Sequence, residues 1–199
     1  MPRLIDHDER DRQIGEAAIR VLAADGLAAL SVRKVADEAG IATASLRRAF
    51  PTQEALRRFC VGRIRDDVAG RIAALRGEGR PLVLRLLSEL LPLDDARRRE
   101  LAAQLQLAML ALTDRDLGDS VAELHDAVRT VCVSALQELK RTGGMSPDAD
   151  LPREAARLHA LLDGLALQLL STRPADLAGV AEAMLEHHID ALSGGAARA

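Results

Sequence analysis

The sequence predicts an all-α fold. Ala, Leu and Arg dominate the 199 residues, and these three residue types favour helices. Tyr and Trp are absent and Phe occurs only twice, so the aromatic residues that favour strands are scarce. Hydrophobic residues make up 48% of the chain and recur at helical spacing, which predicts amphipathic helices around a sizeable core.

The first predicted helix runs from about His7 to Asp25. Its apolar residues recur at i, i+3, i+4, i+7 and i+8, so they share one face that we expect to meet the core. These residues are Ile14, Ala17, Ala18, Val21 and Leu22. Gly26 follows directly and is placed to end the helix, because glycine readily adopts the conformation found after a helix C-terminus.

Two short helices joined by a glycine turn are predicted next. Ser31 is expected to cap the first helix, and Gly40 supplies the positive φ that a tight turn requires. The second helix begins near Thr43 and ends before Pro51, because a residue that precedes proline disfavours the helical conformation. This arrangement is typical of a helix-turn-helix, whose second helix enters the major groove of DNA.

The distribution of charge agrees with this interpretation. The net charge of the chain is −3, yet residues 33–65 contain eight Lys/Arg against three Asp/Glu, a local net charge of +5. A basic block in an acidic chain suits a surface that contacts DNA without binding it non-specifically elsewhere. A helix face that is merely exposed to solvent would have the same composition. The basic block therefore supports DNA binding only together with the helix-turn-helix pattern.

Six further helices are expected after this region. The stretches 77–81 and 143–152 have the composition of loops, and Thr52 and Asp94 are placed as N-caps. The helices are predicted over residues 53–76, 82–91, 95–113, 117–142, 153–171 and 175–192. We expect residues 1–52 to form a helix-turn-helix domain, 53–193 a larger ligand-binding and dimerisation domain, and 194–199 a disordered tail.

The last two predicted helices are candidates for a homodimer interface. The helix over 153–171 is apolar on several sides, and such a helix must be buried on two faces. One face can pack on its own domain while the other meets a second copy of the chain; complete burial within one chain is the alternative. The expected interface residues are Leu158, Leu162, Leu165, Leu169, Leu177, Val180, Met184, Leu185 and His188.

The order of residues in the helix-turn-helix segment resembles a known family. It reads Leu30-Ser31-Val32-Arg33-Lys34-Val35-Ala36, then Ala39-Gly40-Ile41-Ala42, Leu46, Phe50 and Leu56. This order resembles the DNA-binding domain of TetR-family repressors, and the chain length fits that family's plan of nine helices. Two later runs look like the BetI-type C-terminal domain: Leu90-Leu91-Pro92-Leu93-Asp94 and Leu162-Asp163-Gly164-Leu165-Ala166-Leu167-Gln168.

The resemblance implies a set of contacts to double-stranded operator DNA. Ser31 would cap its helix and hold a phosphate, Arg33 would reach into a groove, and the second helix would present its short polar side chains to bases. The DNA-binding residues expected are Ser31, Arg33, Lys34, Thr43, Ala44, Ser45, Arg47, Arg48 and Gln53. Three positions depart from the family, which usually has Tyr at Arg47, His at Ala49 and Lys at Gln53.

The resemblance also implies a repressor that a small molecule releases from its operator. Both phenylalanines lie at or near the DNA-binding domain, so the pocket lacks aromatic faces that capture a quaternary ammonium. We therefore expect an unidentified apolar or amphipathic effector. Its predicted pocket residues are Ile64, Val68, Leu105, Met109, His125, Val128, Leu161 and Gln168.

Other classes of function have little support in the sequence. Cys60 and Cys132 fall on core-facing helical positions, and His187 and His188 point about 100° apart on a helix, so we expect no catalytic residue, metal or cofactor. No apolar run is long enough to span a membrane, which favours a cytoplasmic protein. The alternatives are a helical protein-interaction module that does not bind DNA, and a DNA binder without a ligand.

Overall fold

The computed structural model describes residues 7–171 and 174–194, and within them the chain is helical without a strand. The all-α prediction is therefore confirmed. The nine α-helices of the described residues are α1 His7–Asp25, α2 Val32–Ala39, α3 Thr43–Ala49, α4 Gln53–Ala74, α5 Gly79–Ser88, α6 Asp95–Ala111, α7 Arg115–Arg141, α8 Leu151–Ser171 and α9 Pro174–Gly194. Nearly all of the predicted 194–199 tail lies outside the described residues.

The chain forms two compact units whose boundaries fall inside α4, α6 and α7. One unit comprises the residues up to Asp66 together with Arg99–Leu124, and we call it unit 1. Unit 2 comprises Asp67–Arg98 and the residues from His125 onward. The division into a domain that ends at residue 52 and another that begins at residue 53 stays a prediction.

Unit 1 has a core built around the apolar face of α1. All five residues of the predicted stripe are at most 2% exposed, which confirms the stripe. The part of α6 within this unit is joined to α1 by a hydrogen bond from Gln106 Nε2 to the Leu22 carbonyl oxygen, 2.9 Å long. An ion pair of 3.4 Å joins Arg57 of α4 to Asp114. These contacts tie α6 and the start of α7 to α1 and α4.

The turn between α2 and α3 has the geometry that the sequence predicts. Ser31 caps α2, since its hydroxyl oxygen accepts a hydrogen bond of 3.2 Å from the Lys34 backbone N–H. Gly40 ends α2 with φ 66° and ψ 28°, in the left-handed region. Any residue with a Cβ is strained in this conformation, so Gly40 is required by the backbone and not by a close neighbour.

Two glycine substitutions are expected to change stability in opposite directions. Gly40→Ala should lower the free energy of unfolding by about 1–2 kcal/mol, because alanine disfavours the left-handed conformation. Gly62→Ala is the matched control: it lies inside α4 with open space around an added Cβ, and should raise stability by up to about 1 kcal/mol. Urea unfolding measures both, and equal effects in the two variants would contradict the assignment of the turn.

In unit 2, helix α5 begins at Gly79, earlier than the start at residue 82 that the sequence predicts. Pro81 is tolerated because the first turn of a helix has no internal acceptors for its N–H groups. The N–H of Gly79, the first residue of α5, donates to Glu138 Oε1 over 2.6 Å. Hydrogen bonds from Arg141 and then from Gly79 lower the pKa of Glu138 to about 2, so an ionised carboxylate holds the start of α5.

Helix α8 contributes the largest share of described buried leucines to the core of unit 2. It packs on α9, whose own buried residues include Leu185 and Ile189. The four leucines of α8 that are at most 3% exposed are Leu158, Leu162, Leu165 and Leu169. A bilayer-crossing helix is not found in the described ranges, since none there combines enough length with enough apolar character.

Candidate nucleic-acid interface

Helix α3 has one face anchored in the core of unit 1 and one face in solvent. Leu46 is fully buried, and Phe50 is 8% exposed and packs on Phe59 with ring centroids 4.8 Å apart. On the other face Ala44, Arg47, Arg48 and Ala49 are exposed, while Thr43 and Ser45 are half-buried. The side chains expected to read bases are thus held on a firmly packed helix with their polar groups outward.

The Ser45 hydroxyl is held by an arginine that sequence reasoning did not single out. Arg10 of α1 donates from Nη2 to Ser45 Oγ over 2.7 Å. The two residues are 35 positions apart in the chain, so no local pattern could indicate their contact. The folded structure therefore places the positive charge of Arg10 beside α3. From the sequence alone, Arg10 belongs only to the polar side of α1.

Helix α2 packs on α3 and presents two basic side chains in its first turn. Arg33 and Lys34 are exposed, and the Lys34 Nζ lies 3.1 Å from Asp25 Oδ2. An exposed ion pair of this kind contributes at most about 1 kcal/mol, so a phosphate competes readily for the ammonium. The Ser31 oxygen accepts from the Lys34 backbone, which leaves its own hydroxyl hydrogen to donate.

The first turn of α4 contributes Gln53, which stands where the family usually has lysine. Thr52 caps this helix through a 3.0 Å bond from the Ala55 N–H, as the sequence predicts. The Gln53 amide Nε2 donates to the Leu30 carbonyl oxygen and so links α4 to the residue before the α2 cap. Because an amide nitrogen carries two hydrogens, one N–H remains for a phosphate. All nine DNA-binding residues expected from the sequence belong to unit 1.

Comparison with known proteins identifies the family. Residues 14–58 match the model for bacterial regulatory proteins of the tetR family, and residues 79–194 match the model for the C-terminal domain of BetI-type transcriptional repressors. The chain belongs to the TetR family of transcriptional regulators. The resemblance inferred from the sequence is confirmed, and so is the assignment of the chain to regulators rather than to enzymes.

Individual TetR-family relatives match over most of their length. The HTH-type transcriptional regulator PksA of Bacillus subtilis (strain 168) is 32% identical over 173 residues, which cover 85% of this chain and 83% of the relative. A transcriptional regulator from Rhodococcus sp. Rha1 superposes with a TM-score of 0.77 at 26% identity, over 93% of this chain and 96% of that one. A putative regulator from Saccharomonospora viridis, crystallised with choline, shares the fold with a TM-score of 0.78 at 23% identity, over 92% and 97% of the two chains.

The expected interface residues divide between the core and the surface of unit 2. The four leucines of α8 and Leu185 of α9 are buried in the chain itself, whereas Val180 is 49% and Met184 is 41% exposed. The Leu177 side chain lies outside the described residues. The exposed pair lies in an open apolar depression, which we call the α8–α9 groove. Its lining residues are Arg157, Leu161, Gly179, Val180, Ala183, Met184, His187, His188 and Ala191.

His188 is half-buried beside this groove. Its Nε2 atom has no hydrogen-bond partner among the described residues. Burial and then the positive charge of Arg157 lower the pKa of His188. The imidazole is therefore neutral at physiological pH, which suits a largely apolar surface.

The expected ligand-pocket residues are distributed over both units. Ile64 is buried in the core of unit 1, whereas Met109 of the same unit is 66% exposed. In unit 2, Gln168 and His125 are exposed, and the His125 ring packs on the buried His159 at 4.5 Å between centroids. The half-buried members are Val68, Leu105, Val128 and Leu161. A pocket formed by these residues stays a prediction.

The two cysteine side chains are fully buried. Burial raises the pKa of the Cys60 thiol to about 12, and it raises that of Cys132 to about 12 as well. The thiolate is the nucleophilic form of cysteine. Both thiols are therefore protonated at physiological pH, in agreement with their expected role as small core residues.

Proposed function

We propose that this TetR-family regulator is a homodimeric repressor that places α3 in the major groove of its operator. The observation that supports this most directly is the exposed face of α3, where Arg47 and Arg48 stand outward above the buried Leu46. Short side chains at Thr43, Ala44 and Ser45 allow the helix to approach base edges closely. Arginines among them read guanine or hold phosphates.

Phosphate contacts would fix the register of α3 in the groove. The residues expected to make them lie at the starts of α2 and α4, in the same compact unit as α3, and each carries a donor suited to a phosphate oxygen: Ser31, Arg33, Lys34 and Gln53. Arg47 supplies a charged donor at the position where the family usually has tyrosine. Gln53 supplies an uncharged one, so we expect the phosphate set to carry few charges and the salt dependence of binding to be modest.

The α8–α9 groove is the surface on which we expect the second subunit. Leu161, Val180 and Met184 leave apolar area in water that a symmetry-related copy would cover. The buried leucines of α8 do not line this groove. A two-fold axis through α8 and α9 gives an isologous four-helix interface, in which each groove meets its own copy.

A small molecule is expected to release the repressor by favouring a conformation with a different spacing of the two α3 helices. One structural neighbour holds choline. The sequence here has no Tyr or Trp, and its two phenylalanines, Phe50 and Phe59, pack on each other in unit 1. A quaternary ammonium lacks its usual cation–π partners in this chain. We therefore propose an apolar or amphipathic effector.

Operator binding is tested by gel retardation of duplexes from the DNA that flanks the gene. Arg33→Ala and Arg47→Ala are each expected to weaken binding by about 1–3 kcal/mol and to reduce the salt slope by about one counterion. Arg129→Ala, which removes an exposed arginine of α7 paired with Asp126, is the control and should bind like the wild type.

Two outcomes would oppose the proposal at different levels. If Arg33→Ala and Arg47→Ala both bind DNA with wild-type affinity, neither residue belongs to the DNA-binding site. A protein that retards no duplex in a sequence-dependent way would instead favour the alternative, a helical module that binds other proteins and not DNA.

A further inference from the structure

We propose that Arg10 is a positioning residue that fixes the Ser45 hydroxyl as a hydrogen-bond donor towards operator bases. The inference rests on the proposed operator-binding function and names a determinant of its specificity. Arg10 lies in α1, outside the helix-turn-helix, and its Nη2 donates to Ser45 Oγ over 2.7 Å. It therefore acts on α3 from a neighbouring helix.

The surroundings of Arg10 direct its charge towards α3. Arg10 is half-buried, and among the described residues no carboxylate forms an ion pair with it. Arg12, two positions along α1, differs in both respects: it is exposed and bound to Glu9 and Glu16. On the same helix, Arg12 is therefore neutralised by glutamates at the surface, whereas Arg10 donates a hydrogen bond to Ser45.

The chemistry of the contact determines what Ser45 can offer to DNA. A guanidinium carries only donors and stays protonated, so the Ser45 oxygen must accept. The serine hydrogen has no acceptor in the described part of the chain, and Ser45 lies on the same helix as the exposed arginines. A hydroxyl that accepts from a cation is polarised and becomes a stronger donor.

This polarisation predicts a base preference. In the major groove, guanine N7 and O6, adenine N7 and thymine O4 accept hydrogen bonds, whereas cytosine N4 donates. A serine that is free to rotate accepts or donates and discriminates little between these bases. A serine held by Arg10 should favour a purine or thymine over cytosine at its position, by roughly five- to tenfold for one such hydrogen bond.

The test is selection of binding sites from a pool of random duplexes by the full-length protein, followed by affinity measurements on single-base variants of the selected site. Arg10→Met and Ser45→Ala should relax the preference at the same base position to about twofold or less. The double variant should relax it no further. Arg10→Lys keeps a donor-only cation and should retain most of the preference. Arg12→Met is the matched control and should leave the preference at every position unchanged.

The possible results distinguish a positioning role of Arg10 from a merely structural one. They also distinguish failure of this inference from failure of the proposed operator binding. Three results for Arg10→Met would overturn the role of Arg10. They are an equal loss of affinity for all DNA sequences, a relaxed base preference at a position that Ser45→Ala does not affect, and an unchanged base preference. Melting temperatures of the variants identify any that fail to fold, and Arg10→Lys then decides the question. Failure of the wild type to select any site would overturn the proposed function instead.

Discussion

Glutamates at Val180 and Met184 are expected to make the protein monomeric and to weaken operator binding by roughly 10²–10⁴-fold. Both side chains are more than two-fifths exposed in the single chain, so the substitutions should leave its fold intact. In the dimer the same positions would be buried, and four carboxylates would be placed against an apolar surface. Burial of unpaired charge costs several kcal/mol per ion, so we expect the interface not to form.

Sedimentation gives the oligomeric state of this variant, and fluorescence anisotropy gives its affinity for a duplex that the wild type binds. Leu112→Glu is the control, because Leu112 is 77% exposed and lies outside α8 and α9. It should stay dimeric and bind normally. A Val180→Glu, Met184→Glu variant that remains dimeric would move the interface away from the α8–α9 groove.

Leu46→Ala is expected to lower the free energy of unfolding by about 2–5 kcal/mol and to abolish tight DNA binding. Leu46 is the fully buried residue of α3, and truncation of its side chain leaves a cavity under a helix of only seven residues. So short a helix depends on its packed face for stability, because its own hydrogen bonds are too few. Loss of this anchor should therefore disorder the surface that carries Arg47 and Arg48.

Two control variants distinguish the loss of core packing at Leu46 from the loss of a DNA contact. Leu46→Met keeps the volume of the side chain and should cost less than about 1.5 kcal/mol. Arg48→Ala removes an exposed side chain and should change stability by no more than about 0.5 kcal/mol while it weakens DNA binding. Thermal unfolding followed by circular dichroism measures stability, and a Leu46→Ala protein as stable as the wild type would contradict the packing of α3.

Local sequence patterns predict the parts of the fold that depend on local physics. The stripe of α1, the Ser31 cap and the positive φ of Gly40 follow from spacing and residue type, and the structure has all three. The start of α5 was harder to predict, because Pro81 at the first turn reads equally well as part of a loop. Its position depends on Glu138, which is distant in sequence.

Contacts between distant residues account for what the sequence did not reveal. Periodicity identifies Leu158 and Leu162 as apolar, but only the packed unit shows that they are buried within one chain while Val180 stays exposed. The bond from Arg10 to Ser45 joins two helices whose apolar residues belong to the same core. A polar contact of this kind leaves no periodic signal, so it could be found only in the structure.

Methylation interference on a selected binding site tests most directly whether α3 lies in the major groove. Methyl groups at guanine N7 project into this groove and should block binding in two patches, whose centres lie about 34–36 Å or a multiple of this distance apart along the duplex. Arg47→Ala should make binding insensitive to at least one of these guanines in each patch. Interference confined to adenine N3 in the minor groove, or none at any base, would contradict the account.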